Sequence, residues 1–308
     1  MTCLPYSEVL FGRIPVEFLK LKKILDSAMD NRDFRRDGYW EVTTDDEVLA
    51  RLILKGGRPY YIHGNPSLDS AAFINWMEHE TREISLTVRF LAEGCLPSVM
   101  KYLRDDPVLT ELENGQGEVL QLLHSLRTSG ESGLVSLRYP EGTLLIPVRE
   151  GKVSRGWGSG STFMGRKLVD FLKGDDTLEG VAEFREGDVK ELSPLGIAEI
   201  SVILGSVNSW LDSLRPVWPQ CEGVIPDLLA KLKKSDEWMS PLDYESGDNL
   251  FLREQLSDSS LFPDAMAMFV NNLCKKHPSP TTAMKLFTSI NRGREAVLSS
   301  VGMLEKLV

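Results

Sequence analysis

One stretch of this chain is punctuated the same way as another. "GGRPYYIHGNPS" (56–67) is matched by "EGKVSRGWGSGS" (150–161), with Gly57 over Gly151, Arg58 over Lys152 and Gly64 over Gly158, an offset of 94 residues. An internal repeat constrains the fold more than any single motif, because each copy must bury the same kind of face. It also decides how a glycine-rich run is read. A catalytic loop rarely needs a twin in its own chain, whereas a structural unit often has one.

The first copy starts near Val16. "VEFLKLKKILDSAMDN" has helical apolar spacing, "GYWEV" is rich in strand-forming residues, and "EVLARLIL" alternates like a half-buried strand. Gly56-Gly57 predicts a two-residue hairpin turn, where positive φ is cheap only without a Cβ. "RPYYIH" then returns, Ser67 is placed to cap the helix "LDSAAFINWMEHE", "SLTVRFL" adds a strand and "LPSVMKYL" a short helix. The second copy repeats the order. It runs through the helix "EVLQLLHSLR", strands "LVSLRY", "TLLIPVR" and "KVSRGW", a helix "TFMGRKLVDFLKG" capped by Ser161 or Thr162, the strand "LEGVAEFRE", and a long helix begun by Ser193-Pro194. Turns are expected at Gly57, Gly64, Gly151 and Gly158.

These matched stretches resemble the PATAN domain, a domain of unknown function at the N-terminus of PatA-type bacterial response regulators. The resemblance is carried by "GYWEV … LARLILKGGRPYYIHG … FINWM … LTVRF" and "SGESGLVSLRYPEGTLLIPVREGKVSRGWG … LVDFL … GVAEF", together about residues 12–215. It implies a non-catalytic regulatory or scaffolding role in bacterial signalling or motility, exercised through protein–protein interaction. It brings no catalytic residues with it. The position after the third strand departs from the family's small residue, being His63 in one copy and Trp157 in the other.

From about Val217 the pattern changes. "VWPQCEGVIP" reads as a linker, "DLLAKLKKSDEWM" as a helix, "SPLDYESGDNLF" as a loop, and three helical stretches close the chain. The expected fold is therefore α+β: two tandem helix–β-meander–helix–strand–helix units packed together, followed by a small all-helical domain. The expected boundaries are 12–110, 115–215 and 222–308, the last a degenerate helix-turn-helix in one reading.

Charge and composition narrow the function. A net charge of -10 argues against the whole chain gripping nucleic acid. The local exception is Val270–Val308, where Lys275, Lys276, Lys285, Arg292, Arg294 and Lys306 face only two Glu. That stretch supports an alternative reading as a DNA-binding regulator, although cations near helix C-termini also serve as caps. Four scattered cysteines form no CxxC pair, which favours reduced thiols in a cytoplasm and no metal site. No apolar run approaches the roughly 20 residues of a membrane span.

Candidate ligand residues are few. No nucleophile elbow, P-loop, dinucleotide fingerprint or HExxH occurs, so no catalytic residue and no cofactor are expected. "GWGSGS" offers alternating glycines before a helix, a weak phosphate cradle without the GxGxxG spacing. Arg32 and Arg36, with Asn65 and Ser67, resemble a PilZ signature and give a second alternative, a cyclic-dinucleotide receptor. Tyr60, Tyr61 and Trp157 are candidate interface aromatics for another protein. Adjacent strand residues face opposite ways, so at most one of Tyr60 and Tyr61 is expected in its own unit's core.

Overall fold

The computed structural model describes residues 3–30, 35–45, 47–65, 67, 69–110, 115–140, 142–173, 180–193, 195–235, 239–245, 249–256 and 259–307. The fold is α+β. The chain divides into two compact bodies, Met1–Asn65 with Ile74–Leu192, and Pro66–Phe73 with Ser193–Val308.

The first body is built on a pattern used twice. Strand β1 (Glu8–Pro15) leads to helix α1 (Leu21–Asp30), strands β2 (Gly38–Thr43), β3 (Val48–Lys55) and β4 (Arg58–His63), helix α2 (Ser70–His79), strand β5 (Ser85–Phe90) and helix α3 (Leu96–Arg104). Then come β6 (Leu109–Thr110), α4 (Gly115–Ser129), β7 (Gly133–Tyr139), β8 (Gly142–Arg149), β9 (Lys152–Val153), β10 (Arg155–Gly158), β11 (Ser161–Met164), α5 (Arg166–Lys173) and β12 (Val181–Glu186). The sheets run β1-β5-β2-β3-β4 and β6-β12-β7-β8-β10-β11, with antiparallel pairing between strands. In each sheet a strand placed before the first helix pairs with the last strand. The repeat therefore holds one strand more than its sequence suggests.

Ladder registers align the copies residue by residue. Gly38 faces Phe90 and Leu54, as Gly133 faces Glu186 and Val148. Arg51 faces His63, as Leu145 faces Trp157. Gly38 and Gly133 share a second property. A Cβ on the first would lie 2.6 Å from the Arg89 carbonyl oxygen, and on the second 2.5 Å from the Arg185 carbonyl oxygen, so both strands begin where the neighbouring backbone leaves no room.

The matched hairpins also share their turn. Gly56 and Gly57 hold φ of 56° and 79°, Glu150 and Gly151 hold 49° and 70°, and both loops have two residues. That is the primed turn that suits strand twist. Gly64 too has positive φ, at 80°, but Gly158 differs from the expectation. It ends β10 opposite Ser161, and the tight turn beyond it belongs to Gly160, with φ of 71°.

Several helix boundaries are corrected. Helix α2 starts at Ser70, and Asp69, not Ser67, accepts its first-turn hydrogen bond, from the Ala72 N–H at 2.7 Å. Ser161 and Thr162 lie in β11 and cap nothing; helix α5 begins at Arg166, after Gly165 turns the chain with φ of 50°. Pro194 lies outside the described residues. The long helix starts later than Ser193, at Ile197, where Glu199 accepts the Gly196 N–H at 3.0 Å.

That helix, α6 (Ile197–Leu214), belongs to the second body. Its Ile203, Val207, Trp210, Leu211 and Leu214 share one buried cluster with α7 (Cys221–Ser235), α8 (Phe262–Lys276), α9 (Pro280–Ile290) and α10 (Glu295–Ser300). The break at residue 215 expected from sequence is thus inside a core. Trp218 and Cys221, read as linker, are buried in it. The stretch read as loop forms a hairpin, β13 (Leu242–Tyr244) with β14 (Leu250–Leu252). The body is accordingly not all-helical.

Candidate functional site

The inner faces of the two sheets meet around α3. Tyr39, Ile53 and Tyr60 of the first sheet, Leu134, Leu145 and Trp157 of the second, and Leu96, Val99 and Met100 of α3 form one buried cluster. Tyr60 and Trp157 are only 4% exposed, so these two candidate interface aromatics are core residues. Tyr61 is half-buried, with the Arg104 guanidinium stacked 4.7 Å from its ring centroid.

Each inner face carries a buried carboxylate between two arginines. Glu41 accepts from Arg51 Nε at 2.8 Å and Arg89 Nη1 at 2.6 Å. Glu183 accepts from Arg138 Nη2 at 2.7 Å and lies 3.0 Å from Arg185 Nη2, while Arg185 Nη1 also donates to Ser136 Oγ at 3.0 Å. By register, Glu41 faces Thr87 and Ser136 faces Glu183, and Arg89 corresponds to Arg185. Both carboxylates are paired with arginine, as burial demands. These groups bind each other, which is structural work. Nothing in the sequence patterns pointed to them, because one arginine of each cluster comes from 48 or 45 positions away.

The other proposed ligand residues divide. Arg32 lies outside the described residues. Arg36 donates to Glu8 Oε2 at 2.7 Å and stacks over the Phe90 ring at 4.4 Å. In the second body Arg294 donates to the Gly205 carbonyl at 2.9 Å and Lys306 pairs with Asp264, so two of the six basic candidates are engaged locally. His63 is held below its ordinary pKa, first by burial and then by the Arg51 charge across the ladder.

Two cavities of the first body differ in character. One, of about 660 Å³, lies among Arg13, Asp45, Glu80 and Arg82. Both of its arginines are already paired: Arg13 meets Asp45 at 2.6 Å, and Arg82 meets Glu80 at 3.0 Å and holds that carboxyl down at about 2; Glu17, Glu78 and Glu83 also line it, which makes it acidic. The other, of about 560 Å³, runs from Gly94, Pro97 and Ser98 at the start of α3 to Trp157, with Arg149, Lys152, Asp188, Lys190 and Glu191 around it. Among the described residues, Ser98 Oγ and Trp157 Nε1 have no hydrogen-bond partner, and both atoms are closed to solvent. The sequence signal for this cavity was the His63/Trp157 departure, which marked the position without revealing the pocket.

Among the described residues no three His, Cys, Asp or Glu side chains gather as a metal site, and no helix is long and apolar enough to cross a membrane. No family model matches the chain. No solved structure matches it. Part of the chain is similar to Nesprin-3 of Mus musculus, 30% identical over 94 residues, which is 30% of this chain and 10% of that protein. Nesprin-3 of Homo sapiens is 28% identical over 98 residues, 32% of this chain and 10% of its own length. The chain thus spans about a tenth of these curated relatives.

Proposed function

We propose that this is a non-catalytic bacterial regulatory or scaffold protein that works by binding another protein, and that the partner adds an extended segment to the edge of β12. One observation carries the reading. In the first sheet β1 covers β5 from Ser85 to Phe90, whereas in the second β6 covers β12 only at Glu183 and Phe184. Among the described residues, the rest of that edge has no strand against it. Val108 and Leu109 beside it are 63% and 43% exposed. An edge strand that the described residues pair over only part of its length, with apolar residues alongside, is a template for strand addition. The PATAN resemblance supplies the context, bacterial signalling or motility.

Affinity purification from the native host tests this with wild type and a Val108→Lys, Leu109→Lys double variant. A protein recovered with wild type and lost with the variant supports the edge. Equal recovery with both moves the contact elsewhere. DNA recovered in place of protein would overturn the class and favour the basic C-terminal helices.

A further inference from the structure

A third cavity, of about 240 Å³, opens between α1 and the first sheet, apart from the β12 edge. Trp40, Leu54, Val88 and Phe90 form its floor, and the half-buried Leu10, Phe11 and Ile24 form its walls. Trp40 alternates with the inward Tyr39, so this is the outer face of the sheet. The second copy covers the same place. By register Trp40, Leu54 and Val88 correspond to Val135, Val148 and Phe184, which share one buried cluster with Val119 and Leu126 of α4. Helix α4 has 15 residues where α1 has 10, and Val88 is smaller than Phe184.

The edge strand is shaped to the opening as well. Strand β1 shifts register against β5 between Val9 and Phe11, and both Leu10 and Phe11 line the cavity. Regular alternation would present only one of two successive residues there; a bulge re-aims the other.

Charge at the mouth narrows the occupant. Lys20 and Lys23, three positions apart at the start of α1, are exposed there, and neither has an ion-pair partner among the described residues. Among the described residues no carboxylate lines the cavity. Arg36, stacked over the Phe90 ring, is already paired with Glu8 and adds no net charge. An apolar interior beneath two unopposed cations fits a hydrocarbon tail with an anionic head. The volume falls below the roughly 300–1,000 Å³ of drug-sized sites, which limits the tail to one chain of modest length.

We propose that this cavity binds a medium-chain fatty acid, its tail against Leu10, Phe11 and Ile24 and its carboxylate between Lys20 and Lys23. Isothermal titration of the intact chain with octanoate is expected to show a single site occupied at submillimolar concentration. Hexanoate should bind about fifteenfold more weakly, at about fourfold for each buried methylene lost. Octyltrimethylammonium carries the same tail with the opposite charge and should bind about tenfold more weakly than octanoate. The Lys20→Glu, Lys23→Glu double variant should weaken octanoate binding about tenfold. Val88→Phe, which installs the residue of the second copy, should abolish it by filling the room, with an unchanged circular dichroism spectrum. Should Val88→Phe fail to fold, the lysine variant and the chain-length series decide the matter. The proposal is overturned if octanoate does not bind wild type at millimolar concentration, if the cationic probe binds equally well, or if the folded variants bind as wild type does. A dimer in sedimentation that the lysine variant dissolves, with octanoate unbound, would overturn it too and give the groove to a second copy of the chain.

Discussion

Glu41 and Glu183 occupy opposite members of one equivalent cross-strand pair: Glu41 faces Thr87 in the first sheet, and Glu183 faces Ser136 in the second. The arginine that follows on the last strand, Arg89 or Arg185, reaches the carboxylate in both cases. What the copies share is a charge pair at one place in the inner face, with its strands exchanged.

That exchange defines a repair experiment. Glu41→Ser removes the carboxylate that Arg51 and Arg89 share, with side chains only 12% and 17% exposed, and is expected to cost about 3–5 kcal/mol. Adding Thr87→Glu should return a partner to Arg89 and recover part of the loss. Arg51 corresponds to Leu145 in the second copy, so adding Arg51→Leu to that pair should recover most of the remainder. Urea unfolding midpoints of the single, double and triple variants report the order; a triple variant no better than the single would break the equivalence.

Gly38 and Gly133 give a second paired expectation. Alanine at either places a Cβ within 2.6 Å of backbone oxygen on the neighbouring strand, and the strands must separate to admit it. We expect each substitution to destabilise by about 1–3 kcal/mol. Gly12→Ala, where the added carbon meets nothing within 4 Å, should be close to neutral. Thermal denaturation of the three variants checks the contrast.

His63 couples this face to pH. Burial, then the Arg51 charge, lowers its folded pKa below the unfolded value of about 6.5. The unfolded state then binds the proton more readily, so the stabilisation is complete above about 6.5 and is lost as pH falls through the folded pKa. His63→Gln should flatten stability against pH in that acidic window. Arg51→Leu should move the His63 titration, followed by NMR of the ring protons, back toward 6.5. A titration unmoved by Arg51→Leu would leave burial as the whole cause.

Local signals carried the meander of each repeat, because alternation and paired turn residues act over a few positions. Gly56-Gly57 and Glu150-Gly151 announce their turns, and β2, β3, β4, β7, β8 and β12 lie where the pattern puts them. Strand β1 escaped because "EVLFGRIP" is exposed at five of its eight positions and carries Gly12 and Pro15. Strand β6 is two residues long and has no pattern to read. "STFM" lacks helix-breaking residues and was absorbed into α5 until Gly165 showed where the helix starts. The α3 cavity was hidden for a different reason. Ser98 and Trp157 become neighbours of one void only when α3 packs on the second sheet, a contact no spacing in the sequence encodes.

Helix α6 shows the same limit at the scale of a domain, and it is directly testable. Its amphipathic pattern says that one face is buried but not against what. Trp210 settles this: its Nε1 donates to the Ala283 carbonyl at 2.9 Å, and its ring meets Phe287 edge-on at 5.6 Å. Trp210→Phe keeps most of the apolar area and removes that hydrogen bond, while the Ala283 carbonyl keeps its place in the ladder of α9, so a loss of about 0.5–1.5 kcal/mol is expected. Deleting the helix exposes the whole face that Val207, Trp210, Leu211 and Leu214 cover. A fragment of residues 216–308 should therefore lack a cooperative thermal transition, while residues 193–308 should regain one together with near-ultraviolet dichroism from Trp210 and Trp218. A shorter fragment that melts as sharply as the longer one would return α6 to the repeat that precedes it.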